Sequence, residues 1–217
     1  MNHHVTHVPD GLSVMTASFL HFHAVRVEPL PVERYRATWL GLGIPVEVID
    51  RAAAYQARWG GFLVPPAPRY EGGPHVLSAD LPFGTPEEGW WFAAGDQRCS
   101  LPYGFMIAPD GAFGIRGARW TPLHAHVEGW VESVALAHRA AGSARRITQV
   151  SGDAVEGLDL DALDPVPRVA GIADTWWRGP DSLVAVYRGE AEHFGRPGYL
   201  RADVYEGLPE DAFWFDR

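Results

Sequence analysis

Apolar and polar residues repeat along this chain with two different periods, which predict a mixture of helices and strands. Residues 46–59 place apolar side chains three and four positions apart, the spacing of one helix face. Residues 127–138 repeat this spacing, and Gly142 follows as the expected end of that helix. A shorter helix is predicted between Pro31 and Gly43.

Other stretches are rich in β-branched and aromatic residues and predict strands. Residues 14–27 (VMTASFLHFHAVRV) alternate as a strand would place them. Residues 105–115 contain two apolar runs on either side of Asp110-Gly111, whose conformational preferences are typical of a reverse turn, so we expect a hairpin. Residues 183–187 and 199–205 are two further strands that are expected to pair with each other.

The order of these elements predicts an α+β fold. The chain has no internal repeat and no low-complexity linker, so residues 1–217 are interpreted as a single α+β domain. We expect a twisted, mainly antiparallel sheet packed against a few helices, followed by a C-terminal β-rich extension over residues 143–217.

Composition and charge narrow the class of protein. With 47% hydrophobic and 21% charged residues, the 217-residue chain has the composition of a globular protein. A net charge of −9 opposes the phosphate backbone and argues against nucleic acid as a partner. No apolar run reaches the length of a membrane span, and no basic region marks a signal peptide, so a cytoplasmic protein is expected. Cys99, the only cysteine, is predicted to be a small buried hydrophobe.

One series of motifs resembles a known family. In chain order it consists of a helix running into Trp59-Gly60-Gly61, then Trp91-Phe92-Ala93-Ala94-Gly95, the 105–115 hairpin and the 127–138 helix. This order is similar to the core of the SUKH superfamily, bacterial immunity proteins related to the fungal cell-wall assembly regulators, and it covers residues 31–142. The resemblance implies an α+β binding protein that neutralises a cognate toxin by occluding its active site, with no catalytic motif and no cofactor.

Acidic residues provide the main candidate binding surface. Five carboxylates with no intervening basic residue lie at Asp153, Glu156, Asp159, Asp161 and Asp164. A surface loop of this charge would attract a basic toxin and accelerate its association, whereas without a partner it is simply solvated. Trp177 and Arg178 precede a Gly-Pro-Asp turn and are added as candidate contact residues, because an exposed tryptophan is a common binding anchor.

Histidines carry the alternative hypothesis of a small metal- or ligand-dependent enzyme. His21 and His23, and likewise His124 and His126, have the His-x-His spacing that places both rings on one face of a strand, with Glu128 or Glu132 assisting. The structural interpretation is that His124 and His126 cap or flank the start of a helix, whereas His21 and His23 belong to a half-buried strand. The chain has no phosphate-binding loop, G-x-S-x-G motif or H-E-x-x-H motif, so the sequence favours a binding role over an enzymatic one.

Overall fold

The computed structural model describes residues 3–5, 7–169 and 171–209. In this part of the chain the regular structure consists of six α-helices, five short 3-10 helices and fifteen strands. The helices in this part of the chain are α1 (Val14–His23), α2 (Arg36–Gly41), α3 (Val46–Trp59), α4 (Val127–Ser143), α5 (Asp153–Glu156) and α6 (Gly189–Phe194). The strands are β1 (His3–His4), β2 (Val25–Arg26), β3 (Phe62–Leu63), β4 (Pro74–Leu77), β5 (Phe83–Thr85), β6 (Gly89–Ala93), β7 (Gly95–Gln97), β8 (Gly104–Ile107), β9 (Phe113–Arg116), β10 (Trp120–His124), β11 (Arg146–Ser151), β12 (Asp164–Pro165), β13 (Thr175–Arg178), β14 (Ser182–Tyr187) and β15 (Arg201–Glu206).

These strands form three antiparallel sheets, which confirms the predicted α+β class. The first sheet has the strand order β1-β2-β3-β4-β7, the second β10-β9-β8-β6-β5 and the third β11-β15-β14-β13-β12. The third sheet is built entirely from the predicted C-terminal extension, whose last residues, 210–217, lie outside the described ones. Among the described residues, no helix has the length and apolar character needed to span a membrane.

Helix α4 lies in the largest hydrophobic core. Its Trp130 is buried and packs against Phe113 of the second sheet with ring centroids 5.1 Å apart. Gly73 approaches the same indole so closely that a Cβ would lie 2.6 Å from Cζ2, and its φ of 71° also favours glycine. The core therefore joins the helix to both of the first two sheets.

The elements with the strongest periodicity form as predicted. Helix α3 has the expected bounds, and its side chains Ile49, Ala52 and Trp59 are buried. The hairpin of β8 and β9 turns at Asp110-Gly111, where the Asp110 carboxylate accepts a hydrogen bond from the Ala112 backbone N–H at 3.0 Å. Strands β14 and β15 pair antiparallel, as expected for the last two predicted strands.

The prediction of a strand over residues 14–27 is wrong, because most of this segment forms helix α1. Ser13 caps the helix by accepting a hydrogen bond from the Thr16 backbone N–H at 3.1 Å. The buried Glu132 on α4 accepts hydrogen bonds from the Ser13 N–H at 2.7 Å and from both the Ser13 and Thr16 hydroxyls at 2.6 Å. Burial follows helical spacing at Thr16, Phe19 and Leu20, while Phe22 is 71% exposed.

The prediction of a buried Cys99 is also wrong. Cys99 is a free, exposed cysteine on the stretch that connects β7 to β8. Its neighbour Arg98 reaches inward to donate a hydrogen bond to the Gly72 carbonyl at 3.0 Å, so the arginine rather than the cysteine attaches this stretch to the body of the protein.

Candidate functional site

Residues 153–164 form an ordered acidic cover over the outer face of the third sheet. The cover contains helix α5, a turn of 3-10 helix at Leu160–Ala162 and the start of edge strand β12. Its apolar side chains Val155, Leu158, Leu160 and Leu163 pack with Val184, Val186, Leu200 and Ala202 in a second hydrophobic cluster. The predicted surface loop is thus anchored to the sheet, because every few residues one apolar side chain faces inward.

All five predicted carboxylates of the acidic cover are exposed. They are Asp153, Glu156, Asp159, Asp161 and Asp164. The apolar residues between them are the inward anchors, so the cover presents charge outward and hydrophobic surface inward. The five carboxylates are therefore accessible to a large partner.

Trp177 and Arg178 lie on β13 beside the edge strand of the acidic cover. Trp177 pairs with Pro165 and Arg178 with Asp164 in the antiparallel register, so the basic residue lies opposite an acidic one. Trp177 is half-buried and packs against the second hydrophobic cluster, and its indole N–H donates a hydrogen bond to the Thr175 hydroxyl at 3.2 Å. Trp177 therefore packs in the same cluster as the apolar side chains of the acidic cover. Arg178 and Asp164 line a cleft of about 400 Å³.

The four histidines of the alternative hypothesis are not brought together. His21 lies near the Val5 carbonyl at 3.0 Å, and His23 packs against His138 with ring centroids 4.4 Å apart. His126 is exposed at the position preceding helix α4, as the structural interpretation predicted, while His124 is buried. No group of three or more histidine, cysteine, aspartate or glutamate residues suited to a metal ion occurs among the described residues.

His124 is enclosed by tightly packed backbone. A Cβ added to Gly129 would lie 3.2 Å from Nδ1, and one added to Gly171 would lie 3.0 Å from Cε1. Neither ring nitrogen has a hydrogen-bond partner among the described residues. Burial lowers the pKa of His124 to about 3, because an imidazolium cannot be solvated in this position. At neutral pH this histidine is a neutral part of the core.

The two glutamates named with the histidines hold helices in place. Glu128 pairs with Arg58 at 2.8 Å and accepts a hydrogen bond from the Trp59 indole N–H at 3.3 Å, which joins the start of α4 to the end of α3. Glu132 pairs with Arg168 at 3.2 Å in addition to holding the start of α1. Both carboxylates are thereby committed to contacts between structural elements.

Sequence analysis missed a buried polar connection between the core and the third sheet. Asp174 accepts hydrogen bonds from the Tyr70 hydroxyl at 2.6 Å and from the Arg188 backbone N–H at 3.1 Å. Burial raises the pKa of Asp174 to about 7, although these hydrogen bonds favour the carboxylate. Tyr70 and Asp174 are 104 positions apart, so no local pattern could have indicated their contact.

Comparisons of this chain with protein-family models, with curated proteins and with solved structures found no match. The resemblance of residues 31–142 to the SUKH superfamily therefore stays a prediction. The acidic cover is the charged surface that the sequence predicted, and all five of its predicted carboxylates are exposed.

Proposed function

We propose that this protein is a non-catalytic binding protein of the immunity type, which neutralises a cognate basic toxin by covering the toxin's active site. One observation carries the proposal: the five exposed carboxylates of the acidic cover stand on a segment that is anchored to the third sheet by its apolar side chains. A docking surface that is already ordered loses little conformational entropy when a partner binds.

Electrostatics support a basic partner. The chain carries a net charge of −9, and the acidic cover concentrates five of its negative charges in twelve residues, 153–164. A negative surface of this kind attracts a positively charged protein over about one Debye length, close to 10 Å at 0.1 M salt. Such attraction accelerates association and selects against acidic competitors.

Stoichiometry tests the proposed role directly. The toxin would be the product of the gene adjacent to the one that encodes this chain, and its activity would be titrated with the purified protein. We expect inhibition to be complete at one protein per toxin and independent of incubation time. Each molecule of the protein would stay bound to the one toxin molecule whose active site it occludes. Size-exclusion chromatography should show the two proteins in one peak.

Two results would contradict this role. One is a loss of toxin activity that continues with time at a tenth of the stoichiometric amount, since that would mean turnover. The other is the absence of any complex with the adjacent gene product at micromolar concentrations.

A further inference from the structure

A second cleft is lined by residues of the N-terminal half of the chain, whereas the acidic cover belongs to the C-terminal half. It has a volume of about 460 Å³, within the range typical of ligand-binding pockets. One wall comes from residues 30–39, which include the first residues of helix α2, and the other from residues 78–80, which follow β4. Gln56 on α3, Ala93 on β6 and Asp96 on β7 also line it. We call this the aromatic cleft, after Tyr35 and Trp39.

The two walls of the aromatic cleft are joined at its base by Gln56. The Gln56 amide donates a hydrogen bond to the Leu30 carbonyl at 2.9 Å, and its side-chain oxygen accepts one from the Ala79 backbone N–H at 2.7 Å. Gln56 itself is buried on helix α3. Both hydrogen bonds cross between segments that are distant in sequence, so they hold the cleft open in one geometry before any ligand arrives.

Charge in the aromatic cleft has a single sign. Among the described residues, Asp80 and Asp96 are the only acidic or basic side chains that line it, and both are exposed. The Asp80 carboxylate also accepts a hydrogen bond from the Leu81 backbone N–H at 2.6 Å, which orients it at the rim. These two carboxylates make the cleft complementary to a positively charged group.

The remaining lining suits a planar cation on an aliphatic stem. Tyr35 stacks on Trp39 with ring centroids 5.9 Å apart and an interplanar angle of 13°, and Tyr35 remains 37% exposed. A guanidinium group binds favourably over an aromatic face and forms paired hydrogen bonds with a carboxylate. Leu30 and Val32 supply apolar surface for the methylene groups that precede such a head group.

We propose that the aromatic cleft binds an arginine side chain of a protein partner, with the guanidinium group over Tyr35 and its N–H groups donating to Asp80 and Asp96. This proposal rests on the proposed function in one respect, namely that the arginine would belong to the toxin. A peptide experiment needs no toxin, so its failure would leave the proposed function standing, and failure of the proposed function would leave the cleft unaffected.

A matched pair of peptides tests the aromatic cleft. Acetyl-Gly-Arg-Gly-amide and its citrulline counterpart have nearly the same shape, but citrulline carries no charge. Binding would be followed by NMR through the Gln56 side-chain amide, which is easily resolved because the chain contains only three glutamines and one asparagine. We expect the arginine peptide to shift this signal with a dissociation constant on the order of 1 mM and the citrulline peptide to bind at least about tenfold more weakly.

Variants locate the binding. Asp80→Asn with Asp96→Asn removes both charges but keeps side-chain acceptors, and should weaken binding of the arginine peptide about tenfold. The control, Asp159→Asn with Asp161→Asn, makes the same change of net charge on the acidic cover and should leave binding unchanged. All four positions are exposed, so the variants should fold. Equal binding of the two peptides, no shift of the Gln56 signal, or equal weakening by both double variants would overturn the proposal.

Discussion

Replacement of Glu132 by alanine should lower the free energy of unfolding by about 3–5 kcal/mol. The side chain is only 4% exposed, and it accepts hydrogen bonds from Ser13 and Thr16 while pairing with Arg168. The substitution would remove every one of these contacts and leave the donors of Ser13 and Thr16 buried without their acceptor. Equilibrium unfolding in urea measures the effect, and the midpoint should fall without a large change in the m-value.

A matched variant separates this effect from a general loss of negative charge. Glu156→Ala removes an exposed carboxylate of the acidic cover and should change the free energy of unfolding by less than about 0.5 kcal/mol. In the Glu132 variant, hydrogen exchange should also become faster in helix α1, whose first turn the carboxylate holds. A Glu132→Ala protein as stable as the unmodified one would refute this role.

Replacement of His124 by leucine should make the protein more resistant to acid. Burial lowers the pKa of His124 from its ordinary value of 6.5 to about 3. Between these two values the unfolded chain binds a proton at this position and the folded protein does not, so stability is lost as the pH falls below 6.5. The loss amounts to about 1.4 kcal/mol per pH unit and about 4–5 kcal/mol by pH 3. Leucine cannot titrate, so the variant escapes it.

The experiment compares free energies of unfolding between pH 7 and pH 3.5 for the unmodified protein, His124→Leu and His126→Leu. His126 is two residues away and exposed, so its substitution serves as the control for the loss of a histidine near the start of helix α4. The profile of the His124 variant should diverge from the other two in proportion to the fall in pH. Three parallel profiles would mean that His124 is protonated in the folded state at mildly acidic pH.

Elements with strong local signals were predictable from the sequence. The apolar residues of helix α3 recur on one face over its fourteen residues. In the Asp110-Gly111 turn, the Asp110 carboxylate accepts a hydrogen bond from the Ala112 backbone N–H two residues later. In both cases the determinants of the structure lie within a few residues of one another. Local periodicity and turn chemistry are then sufficient.

Helix α1 was not predictable in this way, because a distant residue determines it. Its β-branched and aromatic residues alternate as in a strand, yet Glu132, 119 positions away, holds the capping Ser13. Intrinsic preference is a weak guide when a buried carboxylate binds the first turn of a helix. The contact between Tyr70 and Asp174 escaped prediction for the same reason.

The charges of the candidate site were predictable from the sequence, but the packing that anchors the acidic cover to the third sheet was not. The carboxylates from Asp153 to Asp164 are visible in the sequence as an acidic stretch, whereas the role of Leu158 and Leu163 as anchors depends on the outer face of the third sheet. The position of Arg178 opposite Asp164 follows from the pairing of β12 with β13, which no local pattern encodes. Spatial neighbours of a segment have to come from the structure.

The central claim is that the acidic cover attracts a basic toxin, and the rate of association tests it most directly. Asp159→Lys with Asp161→Lys changes the net charge from −9 to −5, because each substitution replaces one negative charge with one positive charge. Glu87→Lys with Glu88→Lys makes the same change at two exposed residues between β5 and β6. Stopped-flow mixing with the adjacent gene product would be measured at 10 mM and 500 mM salt.

We predict that the variant of the acidic cover associates at least about tenfold more slowly than the unmodified protein at 10 mM salt and that the difference largely disappears at 500 mM salt. The Glu87 and Glu88 variant should lose less than about threefold. Equal rates for the two variants at low salt would contradict the claim, because the acidic cover would then act only through the net charge of the protein.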